Sequence, residues 1–267
     1  MTTNLTEMIE HKTHHVLGND GQDIVVFGLL SSIHLLAITT LIQADGTFKC
    51  VVPPFTLLYV FHGLVKNEVS FPLLYCLVKG KDRPIYKRLL RLVETIARER
   101  GVTILNRPVR LMVDFEMAFI NEARKYQAGR NISCCFFHFV SNIKKRARSV
   151  VGAIRKAVGQ SSNEAVLAEK TKRALMMIPL LPLDLIAVDV VDMIVMRWKN
   201  FPRGDGRNPD NRKKAFDELR NRLVRKYVRP GAIFDRTSWC VCGRTIRTNN
   251  AAESSHAALN ASVRVRG

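Results

Sequence analysis

The chain has 267 residues, 47% of them hydrophobic, with 42 Lys and Arg against 23 Asp and Glu, a net charge of +19. That size supports a substantial core and needs no disulfide framework, and the spacing of the six cysteines does not form one. The cation excess favours a polyanionic partner, because each Lys or Arg that neutralises a phosphate releases a counterion. A highly soluble basic protein is the plainer alternative. Residues 1–23 are polar and carry no secretory signal, which sets a reduced intracellular compartment as the expectation.

Residues 24–42 hold no charged side chain apart from His34, a length that could span a bilayer. Ser31, Ser32, Thr39 and Thr40 interrupt the run, and no basic flank borders it. A buried helix followed by a central strand is the preferred reading, with no membrane span. Residues 37–48 read as that strand, ending near Asp45-Gly46, and Pro53-Pro54 interrupts its extension. Residues 57–65 and 71–78 are apolar runs of strand length, separated by Lys66-Asn67-Glu68 as in an antiparallel hairpin.

Residues 82–100 form the clearest predicted helix. Pro84 suits its first turn, Ile85, Leu89, Val93, Ile96 and Ala97 recur at helical spacing, and Gly101 closes it. A short strand at 109–113 leads to Asp114, a helix follows over 116–126, and 132–137 reads as another strand. A basic helix is expected from about 139 to 158, followed by a polar linker over 159–163. From there to about 227 the pattern is helical, broken by Pro179, Pro182 and a turn-rich loop over 201–211. Residues 249–261 have helical character again. The order fits an α/β core interrupted by a helical block.

Charge is unevenly spread. Between Ala123 and Asn163 there are nine basic residues and no acidic one, and solvated faces usually mix both signs. The helix bearing Lys144, Lys145, Arg146 and Arg148 is therefore the expected DNA-phosphate contact, with a solvated face as the alternative.

Three acids stand where chemistry would want them. Asp45 ends one apolar strand, Asp114 follows another, and Glu253 lies in the last helical stretch. Carboxylates at neighbouring strand ends can converge on hard divalent cations. Asp-Gly alone is more often a simple turn.

The ordered set of motifs resembles the mutator-like-element (MULE) transposases. Asp45-Gly46-Thr47-Phe48-Lys49 with Pro53-Pro54-Phe55 is similar to their first catalytic motif. Phe71-Pro72 with Lys79-Gly80-Lys81 and Tyr86 is similar to the stretch before their long helix. Asp114-Phe115-Glu116 resembles the second motif, and Cys135-Phe136-Phe137-His138 the Cys-x-x-His element after it. Arg247-Thr248-Asn249-Asn250 with Glu253 and His256 resembles the third. The resemblance implies an RNase H-like core, a mixed sheet flanked by helices, with a large all-helical insertion before the last catalytic helix. It divides the chain into an N-terminal segment (1–36), a first part of the core (37–158), a helical insertion (159–247) and an end segment carrying the third acid (248–267).

It further implies a DDE-type enzyme that cleaves and transfers DNA strands at transposon ends in the nucleus. Asp45, Asp114 and Glu253 would bind two Mg²⁺ or Mn²⁺ ions, and Glu116 would support them from behind. The partners implied are double-stranded DNA, at transposon ends and target, and a second copy of the chain. Cys135, His138, His256 and Asn250 are candidates for active-site or structural roles, Asn250 or Asn249 also as a helix cap. Cys135 and His138 could supply half of a zinc site, with Cys240 and Cys242 as the other half; packing and helix capping are the alternative. Trp198 and Trp239 could stack on a displaced base or fill a core. The sequence shows no zinc module before Asp45 and none after Glu253. The expectation is thus a fragment, a decayed copy or a host-adapted remnant, and a catalytically inactive, transposase-derived DNA-binding or regulatory protein is the alternative function.

Overall fold

The computed structural model describes residues 15–49, 51, 53–65, 69–126, 132–200 and 209–248, together with 254, 255, 257, 258 and 261. The chain divides into two compact units, Met1–Ser133 with Asn249–Gly267, and Cys134–Thr248. The first is built on strands and the second on helices. The division thus falls after Ser133 instead of near 158, where the sequence pattern places its linker.

The strands are β1 (His15–Asn19), β2 (Ile24–Gly28), β3 (Leu41–Thr47), β4 (Leu57–Val65), β5 (Val69–Val78), β6 (Arg110–Val113) and β7 (Ile132–Cys134). They form a seven-stranded sheet in the order β1-β2-β5-β4-β3-β6-β7. The pairs β1–β2, β2–β5, β5–β4 and β4–β3 are antiparallel, while β3 and β6 run parallel. The expected mixed sheet is present. The sheet also takes in residues 15–28, which the sequence motifs set apart as an N-terminal segment. The run 24–42 holds the expected helix and following strand, α1 (Leu30–Ile38) and the start of β3, but opens with a further strand, β2. Among the described residues no helix is long and apolar enough to cross a membrane.

The two apolar runs pair as the β4–β5 hairpin, with residues 57–64 of β4 buried on both faces, and residues 66–68 lie outside the described residues. Helix α2 (Arg83–Arg98) also follows its local signals. The Asp82 carboxylate accepts the Ile85 N–H at 2.9 Å, Pro84 occupies the first turn, and Gly101 adopts φ +70° just past the end. Its Ile85, Leu89, Val93 and Ile96 face is buried. Helix α3 (Met117–Tyr126) packs beside it. Arg107 donates to the carbonyls of Leu36 and Thr39, each at 2.6 Å, at the end of α1. A cation there matches the negative end of the helix dipole and fixes where β3 begins.

The helical unit holds α4 (Phe136–Val158), α5 (Asn163–Met177), α6 (Val188–Lys199), α7 (Pro209–Leu223) and the short α8 (Arg236–Trp239). Helix α4 starts at Phe136, three residues before the predicted start, and α7 starts inside the predicted loop, with Pro209 as its first residue. Two 3₁₀ turns, Ile178–Leu180 and Leu183–Leu185, mark the breaks at Pro179 and Pro182. A π-helical turn, Val224–Val228, continues α7. Phe139 stacks on Trp239 at 5.1 Å and Trp198 meets Phe216 at 4.2 Å. Both tryptophans are fully buried, so they fill the core and do not present a face to a base.

Candidate active site

Strand β3 places the first acid. Its register with β6 pairs Leu41 with Arg110, Ile42 with Leu111 and Gln43 with Met112. Carried two residues further, that register sets Asp45 level with Asp114, the residue that follows β6. Two carboxyl-bearing residues thus stand side by side at the C-terminal ends of adjacent parallel strands, the edge where open α/β sheets place their ligands. A Cβ at Gly46 would lie 2.8 Å from the terminal methyl of Leu57 and 3.1 Å from the Tyr59 ring, so a larger residue beside Asp45 would push on both side chains.

Asp45 is 5% exposed, and burial pushes its carboxyl up to about 6, against the pull of the Gly46 N–H, which it accepts at 3.0 Å. Asp114 accepts the N–H of Glu116 at 3.0 Å, an Asx-type turn that starts α3. Glu116 in turn accepts the Tyr86 hydroxyl at 2.7 Å. Burial raises the Glu116 carboxyl, and the Tyr86 hydrogen bond and the charge of Lys81 oppose that rise. The Lys81 ammonium lies 5.4 Å over the ring of Phe48. Asp45-Gly46-Thr47-Phe48, Lys81 with Tyr86, and Asp114-Phe115-Glu116 therefore come together from three distant stretches of sequence.

Tyr59 joins them, although no sequence motif singles it out. It is 1% exposed, and its hydroxyl has no hydrogen-bond partner among the described residues. Burial first, then the charges of Asp114, Tyr86, Asp45 and Glu116, raise its phenol well above the usual range. Its ring stacks on Phe119 at 4.9 Å and meets Tyr86 at 5.7 Å. A hydroxyl in a mostly apolar strand is the only signal the sequence offers for it.

The remaining predicted residues divide. Glu253, Asn249, Asn250 and His256 lie outside the described residues, although Ser254, Ser255, Ala257, Ala258 and Ala261 have helical backbone. In the helical unit Cys135 is buried at the N-terminus of α4, and His138 follows in the first turn. The Phe136 N–H donates to the Arg247 carbonyl at 2.9 Å, so the start of the third motif meets the Cys-x-x-His element. The Nδ1 atom of His138 is buried with no hydrogen-bond partner among the described residues. Cys240 is buried and Cys242 exposed. Among the described residues no group of three or more His, Cys, Asp or Glu could hold a metal ion, so neither a zinc site nor a full triad is assembled from them.

Oxygen donors suit a hard divalent cation, and a buried Asp45 beside a half-buried Asp114 on one sheet edge is a donor set in which such an ion would relieve the desolvation cost of Asp45. The chemistry of Asp45 and Asp114 therefore fits Mg²⁺ or Mn²⁺, with at least one further ligand still to be supplied.

An acid-edged mixed sheet with helices packed on it defines the class of this unit. Residues 41–142 match the family of the MULE transposase domain, from the start of β3 into α4. That stretch is thus similar to a MULE transposase domain. No curated protein matches the chain.

Proposed function

We propose that this chain is a DDE-type transposase domain with an RNase H-like core, acting in the nucleus on double-stranded DNA at transposon ends. The observation that carries the reading is the pair Asp45 and Asp114, level at the ends of adjacent parallel strands inside the stretch that matches the family. Glu253 would complete the triad from the last helix. Transposition pairs two DNA ends, so a homo-oligomer is part of the proposal.

Two Mg²⁺ or Mn²⁺ ions bound there would activate the attacking oxygen and stabilise the leaving one in an in-line displacement at phosphorus. Asp45, Asp114 and Glu253 would hold them. The burial of Asp45 keeps water from competing for its carboxylate, while Tyr86 fixes the rotamer of Glu116 behind Asp114. Cys135, His138, Asn250 and His256 would border the site or support the backbone around it.

The test is Mn²⁺-dependent nicking of a supercoiled plasmid, which needs no knowledge of the end sequence. Asp114→Asn is expected to slow nicking roughly 1000-fold, about 4 kcal/mol of transition-state stabilisation. Equal nicking by both proteins would contradict the assignment. Absence of nicking in either would transfer the reading to an inactive, transposase-derived DNA-binding or regulatory protein.

A further inference from the structure

The helical unit treats its cations in two ways. On one flank Glu169 of α5 gathers Arg155 at 3.1 Å, Lys172 at 2.5 Å and Arg173 at 3.4 Å, and Asp192 of α6 pairs with Arg220 at 2.6 Å. On the other flank, α4 and α7 border a groove of about 410 Å³ that receives Lys145, Arg146 and Ser149 from α4, and Glu218 and Arg222 from α7. The π-helical turn that continues α7 adds Arg225 and Lys226. None of these five cations forms an ion pair among the described residues. Burial, and then the charges of Arg146, Arg222 and Arg225, lower the affinity of the Lys226 ammonium for its proton. Like charges this close repel one another, and among the described residues that line the groove Glu218 is the one acid.

The geometry points to the α4–α7 groove as a docking surface for the phosphate backbone of duplex DNA, outside the stretch that matches the transposase family. This rests on the reading of the chain as a DNA-acting protein. Arginine forks and a hydroxyl suit phosphate oxygens, which accept bidentate donors. Among the described residues no aromatic ring lines the groove, which offers none of the stacking platforms that hold single-stranded bases. The surface therefore suits a stacked duplex, whose outer face is phosphate. The assignment also divides the basic cluster of α4. Lys145 and Arg146 line the groove, whereas Lys144 and Arg148 do not. At roughly 100° per residue the latter two fall on the far side of the helix from the arc that lines the groove.

The test measures binding of the full chain to a 30-base-pair duplex in EDTA, over a salt series. The double variant Lys145→Gln, Arg222→Gln should weaken binding about tenfold at 0.1 M salt and flatten the slope of log K against log salt by about 1.8. Lys144→Gln, Arg148→Gln should leave both close to wild type, and Glu218→Gln should tighten binding. Equal losses in the two double variants, a looser Glu218→Gln complex, no binding by the wild type, or stronger binding to a single strand of the same sequence would each overturn the proposal. The opposite sign expected for Glu218→Gln keeps the test decisive if the double variant folds poorly. Failure of the catalytic reading is separable, because Mn²⁺ binding by the groove variant reports on the acids alone.

Discussion

The two units use charge in opposite ways. In the sheet unit several surface cations are matched: Arg88 binds Asp20 and Asp23, and Glu122 takes both Arg83 and Lys125. The exceptional groups are acids, Asp45 and Glu116, drawn into partial or full burial beside Tyr59 and Tyr86. In the helical unit the interior is aromatic, and the exceptional groups are cations left in a groove. Buried acids attract metal ions and clustered cations attract phosphate. The comparison separates a candidate reaction centre from a candidate handle for the substrate.

The largest expected effect tests whether the helical unit has its own core. Both tryptophans lie in it, so fluorescence follows that unit. Trp198→Ala removes a fully buried indole packed against Phe216 and should cost about 4 kcal/mol in urea unfolding followed through Trp239. A change below about 1 kcal/mol would mean the aromatic cluster does not hold the unit together.

A smaller effect sharpens the contrast from the acidic side. Burial lifts the Asp45 carboxyl from its ordinary 3.8 to about 6, so the folded chain holds that proton where the unfolded chain has lost it. The sign follows: the stability tied to this group is complete below pH 3.8 and is lost as the pH rises to about 6. Asp45→Asn should therefore gain on the wild type by about 2–3 kcal/mol between pH 3 and pH 8, measured by thermal unfolding in EDTA. A gain that does not change with pH would show that the carboxylate is not desolvated.

Elements whose causes are local are readable in the sequence. Helix α2 has its Asp82 cap, its Pro84 and a 3.6-residue apolar period, and the β4–β5 hairpin has two apolar runs of strand length on either side of the polar residues 66–68. Where the apolar run is continuous the period carries no information. Residues 24–42 conceal a strand, a nine-residue helix and a second strand, and the apolar 132–137 divides between a three-residue strand and the start of α4. Within the site, Asp45 and Asp114 are legible because strand ends and motif order single them out. Tyr59 is not, since only the fold brings its hydroxyl towards three acids. Charge pairing is equally hidden: Lys145 and Arg173 look alike in sequence, and only the placement of Glu169 distinguishes them.

The most direct measurement is a calorimetric titration of the full chain with Mn²⁺ at pH 7.5, comparing wild type, Asp114→Ala and Asp45→Asn. The account predicts a binding isotherm in the wild type that is lost in both variants, with the fold intact by circular dichroism. Undiminished Mn²⁺ binding in either variant would contradict a metal site built on this pair of strand ends.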